Sequence, residues 1–382
     1  MFYSLILTSV SACGVNTQSA KLKSLSQTNQ APIQLKNAFA GAFDFGVAIN
    51  RQQASESDSG AAKLINEHFA VLTAENDMKW ESIQPIEGQF IFEHADKLIE
   101  IAQKNGQKVI GHALIWHEQV PNWVFEDEKG NPASSELLLA RMRAHISAIV
   151  GRYKGKIHGW DVVNEALNDD GTPRDTKWRQ ILGDKYIEYA FNIAHEIDPD
   201  AKLYYNDYSL FKPTKREGAI KIANRLRNQG IKIDGIGAQG HYLIDVPIDE
   251  LEASIIAIAD NELDVMITEL DISVLKFPEF AMFGADVSQS FALQSEYNPF
   301  PSELDEHMKV NQANAYTALF EMLLKHQEKI SRVTMWGLTD GDSWKNNWPM
   351  KGRTDYALII DRNNQVKPFM YDIAHRARLA KD

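Results

Sequence analysis

Two glutamates stand directly after short apolar runs. Gly159-Trp160-Asp161-Val162-Val163 leads into Asn164-Glu165, and Asp264-Val265-Met266-Ile267-Thr268 leads into Glu269-Leu270-Asp271. A carboxyl that gives a proton, facing a carboxylate that attacks or stabilises a cationic carbon, is the pair that cleavage of a glycosidic bond requires. Taken singly, a glutamate is usually a solvated or ion-paired surface group, so the company each one keeps carries the argument. Asn164 can hydrogen-bond a sugar hydroxyl beside Glu165. His241, in Gln239-Gly240-His241, can orient the carboxylate of Glu269. Asp271 lies two residues past Glu269, on the same side of an extended chain, and can hold His241 in turn. Pyranose rings stack their apolar faces on indoles. Of the eight tryptophans, Trp80, Trp116, Trp336 and Trp344 fall at or just after the ends of apolar runs. Trp160 lies inside such a run and reads as core, while Trp123 and Trp178 are left unassigned.

The elements that must position these groups follow from periodicity. Short apolar, β-rich runs predict strands at Phe45–Ile49, Phe69–Ala74, Lys108–Ala113, His158–Val163, Lys202–Tyr205, Gly235–Gln239, Asp264–Thr268 and Val333–Leu338. Amphipathic stretches near 55–67, 94–104, 134–153, 180–196, 214–229, 249–259 and 307–329 alternate with them, and one near 368–380 ends the series. Runs such as Val265-Met266-Ile267 lack polar alternation, as strands covered on both faces do. Eight strand-then-helix units point to an α/β fold, a (β/α)8 TIM barrel in one catalytic domain over residues 36–382. In that fold the reacting groups sit where strands end. Polar residues cluster there: Glu75-Asn76-Asp77-Met78-Lys79-Trp80 after the second strand, His112 and Trp116-His117 at the third, Asn206-Asp207 after the fifth. Groups chosen only for solubility would fall at both ends of the barrel.

Taken in order, these segments resemble glycoside hydrolase family 10, the barrel-fold endo-β-1,4-xylanases. The resemblance rests on Trp160-Asp161-Val162-Val163-Asn164-Glu165, Ile267-Thr268-Glu269-Leu270-Asp271, Gly111-His112-Ala113-Leu114-Ile115-Trp116-His117, Glu75-Asn76-Asp77-Met78-Lys79-Trp80, Gln239-Gly240-His241 and Trp336-Gly337-Leu338-Thr339-Asp340, and spans roughly Phe43 to Tyr371. It implies internal cutting of xylan and xylo-oligosaccharides with retention of anomeric configuration. Glu269 would be the nucleophile, Glu165 the acid and then base, and His241 with Asp271 the nucleophile's support. Glu75, Asn76, Lys79, His112, Trp116, Asn164, Gln239, Trp336 and Trp344 would hold sugars on the glycone side. Retaining pairs stand roughly 5–5.5 Å apart. Two rival readings are a β-1,4-glucanase on the same barrel and a non-catalytic glycan-binding lipoprotein, the second of which predicts loss of a glutamate. The connection from Leu275 to Pro301 is long for a compact domain and is expected to shape the aglycone side.

Composition narrows the partners. The formal net charge is −12, which disfavours nucleic acid, since phosphate binding needs a basic face. No phosphate-cradling glycine loop or metal-ligand cluster is apparent in the sequence, so neither metal nor cofactor is expected. A monomer is expected. One cysteine, Cys13, rules out an intramolecular disulfide. It follows the short apolar run Leu5-Ile6-Leu7-Thr8-Ser9-Val10-Ser11-Ala12, too short to span a bilayer and shaped like an export signal. Val10-Ser11-Ala12-Cys13 resembles a lipobox, although no Lys or Arg precedes the run. Residues 1–13 therefore read as a signal peptide, and 14–35, rich in Ser, Gln, Asn and Thr, as a tether that cannot offset its ordering entropy. The expected location is secreted or, with lipidated Cys13, the outer membrane; the lipid would be its sole membrane contact. Labelling with palmitate should mark the wild type and spare Cys13→Ala; a label indifferent to that change would remove the anchor.

Overall fold

Eight parallel strands close on themselves because each reading-frame of alternate residues has something apolar to face. The computed structural model describes residues 33–276, 296–349 and 351–379. Its strands are β1 (Asp44–Ile49), β2 (Val71–Ala74), β3 (Lys108–Ile115), β4 (Gly159–Asn164), β5 (Lys202–Asp207), β6 (Gly235–Ala238), β7 (His241–Leu243), β8 (Asp264–Ser273) and β9 (Ile330–Met335). β1 through β6 pair in sequence, β6 pairs with β8, β8 with β9 and β9 with β1, all parallel, which closes an eight-strand barrel. Alternate residues such as Leu72, Val109, Leu203, Val265 and Ile267 are buried in the main cluster with the helices, whereas Val71, Ile110, Tyr204 and Met266 form a small separate cluster. That split is the two-residue period of a strand: one set faces the helices, the other fills the barrel.

Two residues further along those inward-facing positions the character changes. Thr73, His112, Asn206 and Thr268 follow the four apolar residues on the same faces, and all are buried. Thr268 Oγ1 donates to Asn206 Oδ1 at 2.6 Å, and His112 Nδ1 lies 3.0 Å from Asp161 Oδ2. The barrel is thus mainly apolar toward the amino ends of its strands, where the buried Arg332 lies over Tyr204, and hydrogen-bonded toward their carboxyl ends.

Several expectations are corrected. The predicted helix over 180–196 is two helices, Lys177–Leu182 and Lys185–Ile197, because Gly183 takes a left-handed φ of 66° between them. The last barrel strand is Ile330–Met335 rather than Val333–Leu338; the chain leaves the sheet at Trp336-Gly337, where Gly337 has a φ of 128°. Strand β7 was not foreseen, and it pairs with the extended end of β8 at His241–Asp271. Leu35, assigned to the end of the tether, instead opens the helix Leu35–Phe39 and is fully buried. Cys13, the signal segment and residues 14–32 of the tether lie outside the described residues, as does most of the 275–301 connection.

Trp160 is fully buried, as its place inside a strand suggested, and its indole lies across Gly111 of the neighbouring strand. A Cβ added at Gly111 would stand 2.0 Å from Trp160 Cε3. Gly111→Ala should therefore destabilise the fold by about 1–3 kcal/mol or more through overpacking. A denaturation midpoint equal to wild type would contradict that close approach.

Candidate active site

The carboxyl ends of β2 to β9, with the loops that follow them, bring the thirteen predicted site residues of the folded domain together at one rim. Glu269, on β8, is 5% exposed. Its Oε1 accepts from Asn206 Nδ2 at 2.7 Å, and its Oε2 lies 3.2 Å from His241 Nε2. The other imidazole nitrogen of His241 is 2.9 Å from Asp271 Oδ2. The parallel pairing of β7 and β8 sets His241 directly opposite Asp271, so the local fold fixes this triad. Asp271 is fully buried and also accepts from Trp344 Nε1 at 2.9 Å and from Lys345 Nζ.

Glu165 is held differently. It is half-buried, and its backbone takes a φ of 59°, a conformation an ordinary side chain adopts only when its surroundings impose it. The surroundings here are the end of β4 and Arg174, whose Nε donates to the Glu165 carbonyl at 3.0 Å. Its carboxylate accepts from Trp116 Nε1 at 2.9 Å, from Gln239 Nε2 at 2.9 Å and from Asn164 Nδ2 at 3.4 Å. Asn206 Nδ2 also reaches Asn164 Oδ1 at 3.0 Å. The two glutamates are therefore joined through Asn164 and Asn206, on the same rim of the barrel.

Charge is distributed unequally over this rim. Burial would raise the Glu269 carboxyl, but the hydrogen bond from His241, the charges of His112 and His241, and the Asn206 amide together hold it below the usual range. His112 Nδ1 lies 4.0 Å from Glu269 Oε1. Burial would lower His241, yet Asp271 first and Glu269 second push it up to about 9. Burial would likewise raise Asp271, but Lys345 and His241 pull it down to about 2.

A second group lies to one side. Lys79 Nζ donates to Asn76 Oδ1 at 2.9 Å and to Gln119 Oε1 at 2.7 Å, and sits 4.8 Å from the centre of the Trp116 ring. Its burial lowers the ammonium, and burial raises the neighbouring Glu75 carboxyl. An ammonium, a carboxyl and two amides beside an indole can together bind sugar hydroxyls and a sugar face. Trp336 packs edge-on to His112 at 5.1 Å, and Trp344 lies 5.3 Å from His241.

Not every indole reaches the rim. Trp80 is 2% exposed and stacks on His145 at 3.7 Å, so it is a core residue and not a sugar platform. Trp178 is also buried and supports the site from behind, its Nε1 donating to the Trp116 carbonyl at 2.7 Å. Trp123 donates to the Pro85 carbonyl at 3.0 Å, again a structural contact. Asn206, Gln119 and Lys345 were left without a role by the sequence. Asn206-Asp207 did stand out as a polar pair at a strand end, which was the available signal; Gln119 and Lys345 lie in loops with no pattern.

Comparison with known proteins follows the same outline. The model of glycosyl hydrolase family 10 matches residues 34–376. An endo-1,4-beta-xylanase A of Xylanibacter ruminicola is 40% identical over 89% of this chain and 92% of its own length. A beta-1,4-xylanase of Dictyoglomus thermophilum is 39% identical over 89% and 90%. Among solved structures, a GH10 endoxylanase retrieved from a sugarcane soil metagenome superposes with a TM-score of 0.84 at 39% identity, covering 90% of this chain and 99% of that one. A mutant enzyme solved in complex with xylotriose superposes with a TM-score of 0.80 at 36% identity, covering 90% and 99%. With its barrel, its paired glutamates and this match along nearly the whole described fold, the chain belongs to glycosyl hydrolase family 10.

Proposed function

We propose that this chain is an endo-1,4-β-xylanase that hydrolyses internal bonds of xylan by double displacement, with Glu269 as nucleophile and Glu165 as acid and base. The observation that carries this assignment of roles is the contrast between the two carboxylates. Glu269 is buried against a cationic imidazole, which favours a group that must stay ionised until it attacks. Glu165 is half-buried and held by neutral donors, Trp116, Gln239 and Asn164, which suits a group that exchanges a proton with leaving group and water.

In the first step the Glu269 oxygen bonds to the anomeric carbon as the glycosidic bond breaks, and the Glu165 proton passes to the departing oxygen. In the second, water attacks the same carbon while Glu165 takes its proton, and the bonding pair returns to Glu269. Two inversions give net retention. Trp336, Trp344 and Trp116 supply faces for the sugars, with Glu75, Asn76 and Lys79 for their hydroxyls. Xylose over glucose is supported by the activities named for the similar proteins. A binding-only protein is disfavoured because both glutamates are present and held at the same rim. Export, and anchoring through Cys13, is supported by the apolar start of the chain alone. The two glutamates and the partners described for them form a site that needs no residue from a second copy, which is the ground for proposing a monomer.

Losing the acid should matter in proportion to how badly the leaving group needs a proton. Glu165→Ala should slow xylan hydrolysis by roughly a hundred- to ten-thousand-fold, while an aryl xylobioside with an acidic phenol leaves almost as readily as before. Because Glu165 is also the base of the second step, the comparison is made on kcat/KM, which reads the first; equal losses of kcat/KM on both substrates would overturn its role as acid. NMR of the first products should show the β-anomer.

The imidazole should be charged at neutral pH. His241 is raised from 6.5 to about 9 in the folded protein, so its contribution to stability is complete below about 6.5 and fades as pH rises through about 9. Asp271 is depressed from 3.8 to about 2, so its contribution is complete above about 3.8 and fades as pH falls through about 2. Nitrogen-15 NMR of the His241 ring should report an imidazolium at pH 7.5 in the wild type. In Asp271→Asn, which removes the leading charge that raises it, the ring should lose its proton at a lower pH; an unmoved titration would refute the coupling.

A further inference from the structure

We infer that Lys345 is a positioning residue whose ammonium, through Asp271 and His241, balances the charge of Glu269 and speeds release of the sugar from it. Lys345 is 12% exposed at its side chain, and its Nζ donates to Asp271 Oδ1. The other carboxylate oxygen of Asp271 takes His241 Nδ1 and Trp344 Nε1, each at 2.9 Å. A continuous line of contacts therefore runs from Lys345 to Asp271, to His241, to Glu269. This inference rests on the reading of Glu269 as nucleophile.

The charges along that line alternate: positive, negative, positive, negative. While Glu269 is a free carboxylate the set is neutral. When Glu269 carries the sugar as an ester, the set holds one unbalanced positive charge. As water attacks the anomeric carbon and gives its proton to Glu165, the bonding pair flows back onto the Glu269 oxygen. That developing negative charge is what the excess positive charge stabilises. Without Lys345 the set would be negative before attack and neutral in the intermediate. Glu269 would then be a stronger nucleophile and a poorer leaving group.

Other charged groups face this line from neighbouring elements. His112 on β3 lies 4.0 Å from Glu269 Oε1 and is backed by Asp161 of β4 at 3.0 Å. Lys79 and Glu165 face Glu269 across the open rim, and Lys79 feels the charge of both glutamates. The Tyr316 hydroxyl, on the helix Glu306–Lys325, lies near Asp271 but donates to the Ala357 carbonyl. None of these bonds Asp271, whereas Lys345 does. Consistent with that contact, Lys345 is the largest influence pulling the Asp271 carboxyl down against its burial.

The test is the split between kcat and KM on an aryl xylobioside whose phenol leaves easily, so that breakdown of the intermediate limits turnover. In Lys345→Met, kcat should fall on the order of tenfold and KM should fall with it, leaving kcat/KM at neutral pH nearly unchanged. Mass spectrometry of quenched reactions should show more glycosylated enzyme, and the acid limb of kcat/KM should move to higher pH. Lys345→Gln keeps a hydrogen bond without the charge and should behave like Lys345→Met; it also serves if the methionine variant does not fold. Lys345→Arg should restore the wild-type values. A loss of kcat/KM with rising KM would mark a merely structural residue and overturn the inference, as would wild-type kcat in Lys345→Gln. Trapping with a 2-fluoro xylobioside separates the two levels. A label found away from Glu269 defeats the nucleophile assignment itself, whereas a label on Glu269 with an unchanged kcat–KM split defeats only the role of Lys345.

Discussion

Everything at the mouth of this barrel depends on the placement of one imidazole between two carboxylates. Glu269 and Asp271 are both almost without solvent, and a carboxylate buried alone is expensive enough that it would take up a proton instead. His241 counters that at both, at 3.2 Å and 2.9 Å, and Lys345 adds a second cation on Asp271. The arrangement is not left to side-chain chance. Strand β7 exists only as three residues, and its register against β8 puts residue 241 across from residue 271. A slip of one residue would turn the imidazole to the opposite face and take away the cation shared by both carboxylates, leaving Asp271 to Lys345 and Trp344 and Glu269 to Asn206.

The same logic explains why the barrel changes from apolar to polar along its axis. At one level Val71, Ile110, Tyr204 and Met266 fill it as any core is filled. One repeat higher, the inward positions carry Thr73, His112, Asn206 and Thr268, all buried, with Thr268 bonded to Asn206, His112 to Asp161, and Asn206 to Asn164 and Glu269. This layer is a rigid hydrogen-bonded platform beneath Glu269 and Asn164. Gly237 shows how tightly it is made: a Cβ there would meet Asn206 Oδ1 at 2.5 Å and Thr268 Cγ2 at 2.6 Å. A side chain at that position would push on the amide that holds Glu269, so the glycine belongs to the site although it touches no sugar.

Much of this was legible in the sequence, for a physical reason. Strands buried on both faces leave long apolar runs, and the residues that interrupt them at one end are polar for a purpose. Glu165, Glu269, His241 and Asp271 stood out on that ground, and the two-residue period correctly put Glu269 and Asp271 on one side. What escaped depended on long-range packing. Trp80 sits at a strand end like Trp116, but the stacking partner that buries it, His145, lies sixty-five residues away in a helix. Lys345 resembles any loop lysine until the fold brings Asp271 to it. Asn206 looked polar in the right place, yet its bond to Glu269 spans two strands that are adjacent only through β6.

The unequal settings of the two glutamates follow from the backbone before any side chain is considered. Glu269 stands within β8, which continues to Ser273; the register with β9 shifts between Ile267 and Leu270, and the Glu269 N–H is tied to the Gln239 carbonyl at 2.7 Å, which fixes the carboxylate at the rim. Glu165 comes one residue after β4 ends, in a left-handed turn held by Arg174. A nucleophile gains from immobility, because its attack line is fixed by the barrel. An acid that must serve a leaving oxygen in one step and a water in the next needs an open side, and the turn at the end of β4 gives it one. The division of chemical labour is thus already present in where each strand stops.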